Sequence, residues 1–165
     1  MFTVTYDLQS SKKKKMKLPP TFFLLAVFVI LLAACDSNAN NNTPRSGPLG
    51  TRVEIQGGAY TNISPVELNA LLVNKKFPLI NVHIPYEGEI GKTDAFIAYD
   101  VIEKNLNKLP QDKSAQVVLY CQSGRMSQIA AEKLVKLGYT NIWNLDRGML
   151  GWQQAGFPIL EKQQP

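Results

Sequence analysis

Cysteine and histidine are scarce in this chain of 165 residues: there are two of the first and one of the second. A structural zinc site draws about four ligands, mostly from these two residue types. Cys35, Cys121 and His83 cannot furnish one, so no metal is expected. With no Cys-x-x-Cys, a dithiol redox pair within the chain is excluded. Long apolar runs are short of what a membrane span needs. Phe22 to Ala34 is thirteen residues without a charge or strong polar group, against about 20 for a spanning helix. A concentrated basic face is missing too, although the formal net charge is +5. Five of the 18 Lys and Arg are Lys12, Lys13, Lys14, Lys15 and Lys17, and one of the 13 acids is Asp7, which leaves 13 basic against 12 acidic residues from Cys35 onward. Phosphate recognition needs clustered cations, so no nucleic-acid partner is expected.

What the amino terminus does hold is an address. A lysine run, a short apolar stretch and small residues have the layout of a secretory signal. Leu32-Ala33-Ala34-Cys35 matches the bacterial lipobox, in which cleavage precedes a lipidated cysteine. A plain signal peptide cut nearby and an uncleaved anchor are the alternatives. Residues 1–34 are therefore read as a lipoprotein signal peptide, with the true start expected at Met16, and Cys35 as the lipidation site. More than one acyl chain on Cys35 would hold the protein firmly on a membrane, at the extracytoplasmic face of a bacterial cell envelope. Asp36 to Gly50 is rich in Asn, Ser, Pro and Gly and has almost nothing to bury, so residues 35–50 are read as the lipidated cysteine and a disordered tether.

Residues 51–165 are left for one folded domain. Val53 to Ile55 and Tyr60 to Ile63 are short strand-like pieces around a Gly57-Gly58 turn. Ser64-Pro65-Val66-Glu67 is a capping box with proline at the first helical position, predicting a helix from Pro65 to about Asn74 with Leu68, Leu71 and Leu72 inward. Leu79 to Val82 and Gln116 to Tyr120 read as buried strands. Between them, Asp100 and Glu103 repeat the cap pattern before a helix with Ile102, Leu106 and Leu109 inward, ended by Pro110. Ile142 to Leu145 is a further strand and Gly148 to Ala155 a last short helix. Strands alternating with helices imply an α/β domain, a parallel sheet of about five strands flanked by helices, with its site at the carboxyl ends of the strands.

Cys121 follows one of those ends. Past it, apolar residues at 126, 129, 130, 134 and 137 have the spacing of one helical face, and Gly138 is a natural stop. The loop thus delivers Cys121 to the amino end of a helix, where unpaired backbone N–H groups favour an anion such as a thiolate. Arg125 adds a positive charge, and Gly124 lets the backbone curl so that amides converge. Ser123 and Ser127 can donate to the sulfur or cap the helix. The plainer alternatives are an inert buried thiol, a solvated Arg125, and a structural His83; Trp143 and Trp152 are most simply core. A cysteine-dependent phosphatase would need arginine six residues after the cysteine to clamp phosphate, and that place is Ser127.

The strand, the Cys-x-Ser-Gly loop Cys121-Gln122-Ser123-Gly124 and the helix resemble the active-site loop of the rhodanese-like sulfurtransferases. The resemblance extends over roughly Tyr60 to Pro158, with Leu79-Ile80-Asn81-Val82-His83 similar to the family's second strand and Asn144-Leu145-Asp146-Arg147-Gly148, Trp152 and Pro158 to its carboxyl-terminal signature. It implies a single rhodanese-like domain in which Cys121 is catalytic and accepts a sulfane sulfur from a small sulfur-containing anion or thiol. It implies a loop of Gln122, Ser123, Gly124, Arg125, Met126 and Ser127 around the substrate, with His83, Glu87, Glu89 and Arg147 on the rim. The chain departs from the pattern at Met126, where the family places arginine, at Asn81-Val82-His83 for Asp-Val-Arg, at Glu89 for histidine, and at Arg147 for glycine. A non-catalytic sulfur carrier or binding module on the same fold is the alternative. No protein partner is named by the sequence.

Overall fold

The computed structural model describes residues 48–161, and the first feature it shows is a hairpin. Gly57 and Gly58 both take positive φ, which lets a two-residue turn join strand β1 (Thr51–Ile55) to β2 (Gly58–Ile63). Helix α1 (Pro65–Val73) follows, started by the full capping box. Ser64 Oγ accepts from the Glu67 N–H, and the Glu67 carboxylate accepts from the Ser64 N–H at 2.9 Å. Strands β3 (Leu79–Asn81), β4 (Glu89–Ile90) and β5 (Ala95–Phe96) come next. A 3-10 segment (Ile102–Lys108) then leads to β6 (Val117–Tyr120), α2 (Arg125–Lys136), β7 (Ile142–Leu145), α3 (Gly148–Gln154) and β8 (Ile159–Leu160). The signal segment, Cys35 and the tether up to residue 47 lie outside the described residues. Among the described residues, no helix is long and apolar enough to cross a membrane.

Six strands form one sheet in the order β1-β2-β7-β6-β3-β5, with β1 antiparallel to β2 and every other neighbour parallel. The sheet is mostly parallel, as expected, but it has a sixth strand. A two-residue turn can only return a strand antiparallel to its neighbour, so the hairpin adds an antiparallel edge to the parallel core. β4 and β8 pair separately as an antiparallel ribbon.

Alternation along β6 sorts the core into two layers. Val117, Leu119 and Cys121 face α2 and the 3-10 segment, with Ala130, Ala131, Leu134 and Ile102 packed on them. Val118 and Tyr120 face α1 and α3, with Leu68, Leu72, Met149 and Trp152. On α2 the buried positions are Ser127, Ala130, Ala131, Leu134 and Val135, while Met126, Ile129 and Leu137 are half-buried. The inward stripe is therefore rotated from the one the apolar spacing predicts, and two alanines and a serine let the helix sit close on the sheet. Trp143 is also only half-buried, with its Nε1 donating to Asn141 Oδ1.

The helix expected after Asp100 is instead a kinked 3-10 segment. Its first residues carry no side-chain cap, Asn105 sits at φ −121°, and its Nδ2 donates to the Val101 carbonyl at 2.9 Å. An asparagine side chain that competes for backbone groups disfavours a regular α-helix. Ile102 and Leu109 are buried as predicted.

Tyr120 is fully buried among these layers, its hydroxyl accepting from the Ile90 N–H at 3.1 Å and bonded to Thr93 Oγ1 at 2.7 Å. Burial pushes its phenol well above the ordinary value of 10.0. The unfolded chain ionises first, so this contribution to stability is whole below pH about 10 and falls above it by about 1.4 kcal/mol per pH unit. Denaturant midpoints measured from pH 9 to pH 11.5 should drop more steeply for the wild type than for Tyr120→Phe.

Candidate functional site

The site grows out of the end of β6. Cys121 continues the alternation of Val117 and Leu119 and so turns toward α2. Gly124, at φ 92°, then reverses the backbone and serves as the N-cap of α2. A Cβ there would press on the Arg147 backbone at 3.1 Å in a conformation that favours glycine. This turn brings the Gly124 N–H to 3.1 Å from Cys121 Sγ. The Ser127 hydroxyl lies 3.4 Å from the same sulfur and 3.0 Å from the Gly124 carbonyl. α2 begins with no side-chain cap, so its opening amides are left for whatever anion meets the sulfur.

The back of the loop is held by α3. Met149 N–H donates to the Cys121 carbonyl and Leu150 N–H to the Gln122 carbonyl, each at 2.9 Å. In a trans peptide the N–H points opposite the carbonyl, so the Gln122 and Ser123 amides are turned away from α3. The approach is possible only because residue 148 is glycine: a Cβ would fall 2.1 Å from the Cys121 carbonyl oxygen.

Cys121 is 1% exposed, more enclosed than a polar glycine-bearing loop suggests. Apolar neighbours pack against its side chain, while the Gly124 N–H and the Ser127 hydroxyl, which the Gly124 carbonyl also engages, lie against the sulfur. It is a free thiol. Gln122 and Met126 are half-buried, Ser123 and Arg125 exposed, and Ser127 fully buried. Arg147 is also exposed, at φ 58° as the N-cap of α3. Among the described residues Arg125 and Arg147 make no ion pair.

His83 and Glu87 are brought to this loop, but not as open rim residues alike. His83 is 5% exposed. Its Nε2 lies 3.1 Å from Glu87 Oε2, and the same carboxylate oxygen accepts from Gln122 Nε2. Glu87 itself is exposed, whereas Glu89 is buried in β4 and accepts from the Tyr86 hydroxyl at 3.1 Å. Asn81 is the residue whose part the sequence did not reveal. Fully buried, it accepts from the His83 N–H at 2.9 Å and donates to the Gly88 carbonyl at 3.0 Å, pinning both ends of the segment that carries His83 and Glu87. The available signal was an asparagine inside an otherwise apolar strand. Two surface cavities, about 550 Å³ beside Lys75, Lys92 and Asp94 and about 260 Å³ beside Leu72, Trp152 and Phe157, do not touch this loop.

Residues 80–155 match the family described as rhodanese-like domain. The uncharacterized protein slr1261 of Synechocystis is 35% identical over 101 residues, which cover 60% of this chain and 55% of that protein. A sulfurtransferase of Allochromatium vinosum is 32% identical over 84 residues, covering 50% of this chain and 77% of that protein. This chain thus spans about half the length of slr1261, and 31% of a tRNA uridine(34) hydroxylase of Erwinia tasmaniensis that it also resembles at 25% identity. Among solved structures, a rhodanese-related protein from Thermoplasma volcanium superposes with a TM-score of 0.53 over 61% of this chain and 98% of that one, at 24% identity, a likeness of fold.

Gly148→Ala is expected to lose at least about 2 kcal/mol of stability, since it forces a backbone clash at positive φ. Urea unfolding measures that loss, and alkylation of Cys121 by iodoacetamide, followed on the native protein, should change in rate as the loop shifts.

Proposed function

Because this chain belongs to the rhodanese-like domain family, whose chemistry is sulfur transfer, we propose that Cys121 carries a sulfane sulfur as a persulfide between a donor and a thiophilic acceptor. The observation that carries this reading is the Gly124 N–H directed at Cys121 Sγ in front of an uncapped helix start, with the Ser127 hydroxyl, shared with the Gly124 carbonyl, 3.4 Å from the same sulfur. Such an arrangement stabilises negative charge on sulfur before and after it gains a second sulfur atom. Arg125 and Arg147, exposed and without an ion pair among the described residues, support a small anionic donor such as thiosulfate; a persulfide is the other donor this chemistry accepts.

Two displacements account for the cycle. The Cys121 thiolate attacks the outer sulfur of the donor; a new sulfur–sulfur bond forms, the old one breaks, and sulfite or a thiolate leaves with the electron pair. The acceptor nucleophile then attacks the outer sulfur of the persulfide, and Cys121 thiolate departs with its pair restored. Neither step asks for a metal or an organic cofactor. The enclosure of Cys121 shields the persulfide from water and oxidants, which suits a thiol that would otherwise climb toward sulfinic acid.

We place this activity at the extracytoplasmic face of a bacterial membrane, held by lipid on Cys35, on the strength of the Leu32-Ala33-Ala34-Cys35 motif behind a short apolar run.

Incubation with thiosulfate, or with a low-molecular-weight persulfide, should add one sulfur atom to the intact mass of the wild type and none to Cys121→Ser. A wild-type mass unchanged by every sulfane donor would remove the proposal. In an expressing bacterium, Cys35→Ser should move the protein from the membrane pellet to the soluble fraction; retention in the pellet would reject the lipid anchor.

A further inference from the structure

His83 Nε2 lies 3.1 Å from Glu87 Oε2. A carboxylate can only accept, so Nε2 is the donor of this bond. Glu87 passes the link on, because the oxygen that accepts from His83 also accepts from the Gln122 side chain, on the residue directly after Cys121. The Asn81 latch fixes the segment from which both His83 and Glu87 project.

We propose that His83 is a positioning residue: by holding the Glu87 carboxylate on Gln122, it keeps that negative charge parked beside the loop and leaves the approach to Cys121 to the cations Arg125 and Arg147. Glu87 is exposed and carries the charge; what His83 supplies is the N–H that fixes where the charge sits. Without it the carboxylate keeps one partner, is free to swing toward the loop that carries Cys121, and repels an anionic reagent. The effect falls on binding of an anion rather than on the sulfur chemistry, so in sulfur transfer it raises KM for thiosulfate more than it lowers kcat.

This inference rests on Cys121 being the reactive atom of the site, and its test is chosen not to need sulfur transfer at all. Alkylation of the full chain, read on the Cys121 peptide by mass spectrometry, is compared for iodoacetate, an anion, and iodoacetamide, its neutral counterpart. His83→Leu should lower the iodoacetate-to-iodoacetamide rate ratio by about threefold or more, the order expected for a unit charge moved a few ångströms near a surface. In a Glu87→Ala background the same substitution should leave the ratio within about twofold, since the group it releases is gone. His83→Gln, which keeps an N–H donor, should stay near the wild-type ratio. An equal drop with and without Glu87, or a folded His83→Leu protein with an unchanged ratio, overturns the proposal. Should His83→Leu fail to fold, His83→Asn, whose shorter side chain does not reach Glu87, carries the same expectation and the same refutation. A failed ratio with intact persulfide formation sinks this inference alone, whereas a shifted ratio with no persulfide leaves it standing and removes the sulfur-transfer reading.

Discussion

Two backbone hydrogen bonds hold the cysteine loop against the start of α3: Met149 N–H to the Cys121 carbonyl and Leu150 N–H to the Gln122 carbonyl. They take carbonyl groups that would otherwise point into the loop and turn them toward the start of α3, where unpaired helix amides need acceptors anyway. The opposite side of the same peptides is thereby freed for an anion. Everything else at the site follows from this division. Gly148 is required because α3 must approach within a distance no Cβ allows. Gly124 is required because the chain, once its carbonyls are fixed, has to reverse through positive φ to bring an N–H back to the sulfur. The sheet order contributes by placing β7, and hence the chain entering α3, directly beside β6.

Much of this was readable from the residues alone where the signal is local. A capping box, a proline at the first helical position, an apolar strand running into a glycine-bearing loop and a helix of the right period each specify their structure within a few residues, and α1, β6 and α2 stand where those signals put them. What escaped depends on partners distant in sequence. That the hairpin joins the main sheet depends on β2 pairing with β7, some eighty residues on, and the rotation of α2 is decided by Ala130, Ala131 and Ser127 fitting the sheet, a matter of volume that hydropathy does not register. Asn105 looks like an ordinary polar face residue until its amide is seen on the Val101 carbonyl. Asn81 differs again: an asparagine inside a buried strand is visible, but that it latches Gly88 and His83 becomes evident only when the following segment folds back.

The departures from the rhodanese-like pattern acquire physical meaning together. Asn81 can both donate and accept, and it uses both capacities, which an ionised aspartate could not do. His83 then meets a carboxylate that its segment already supplies, so a shorter donor stands in the place of the usual arginine. At the other side of the loop, Arg147 occupies a left-handed conformation at a cost of about 1 kcal/mol or more, where the family's glycine would bear none.

That cost argues for the arginine having a use, and the charge layout says what kind. Met126 removes one cation from the loop at the position the family fills, while Arg125 and Arg147 are exposed and, among the described residues, make no ion pair. The negative charge closest in the bonding network, on Glu87, is engaged by two N–H groups. On the proposed reading, a carboxylate occupied in this way and cations left exposed at the margin would favour a small anion without a buried salt bridge, and the attraction would be set by surface residues while the enclosed Cys121 keeps its own surroundings.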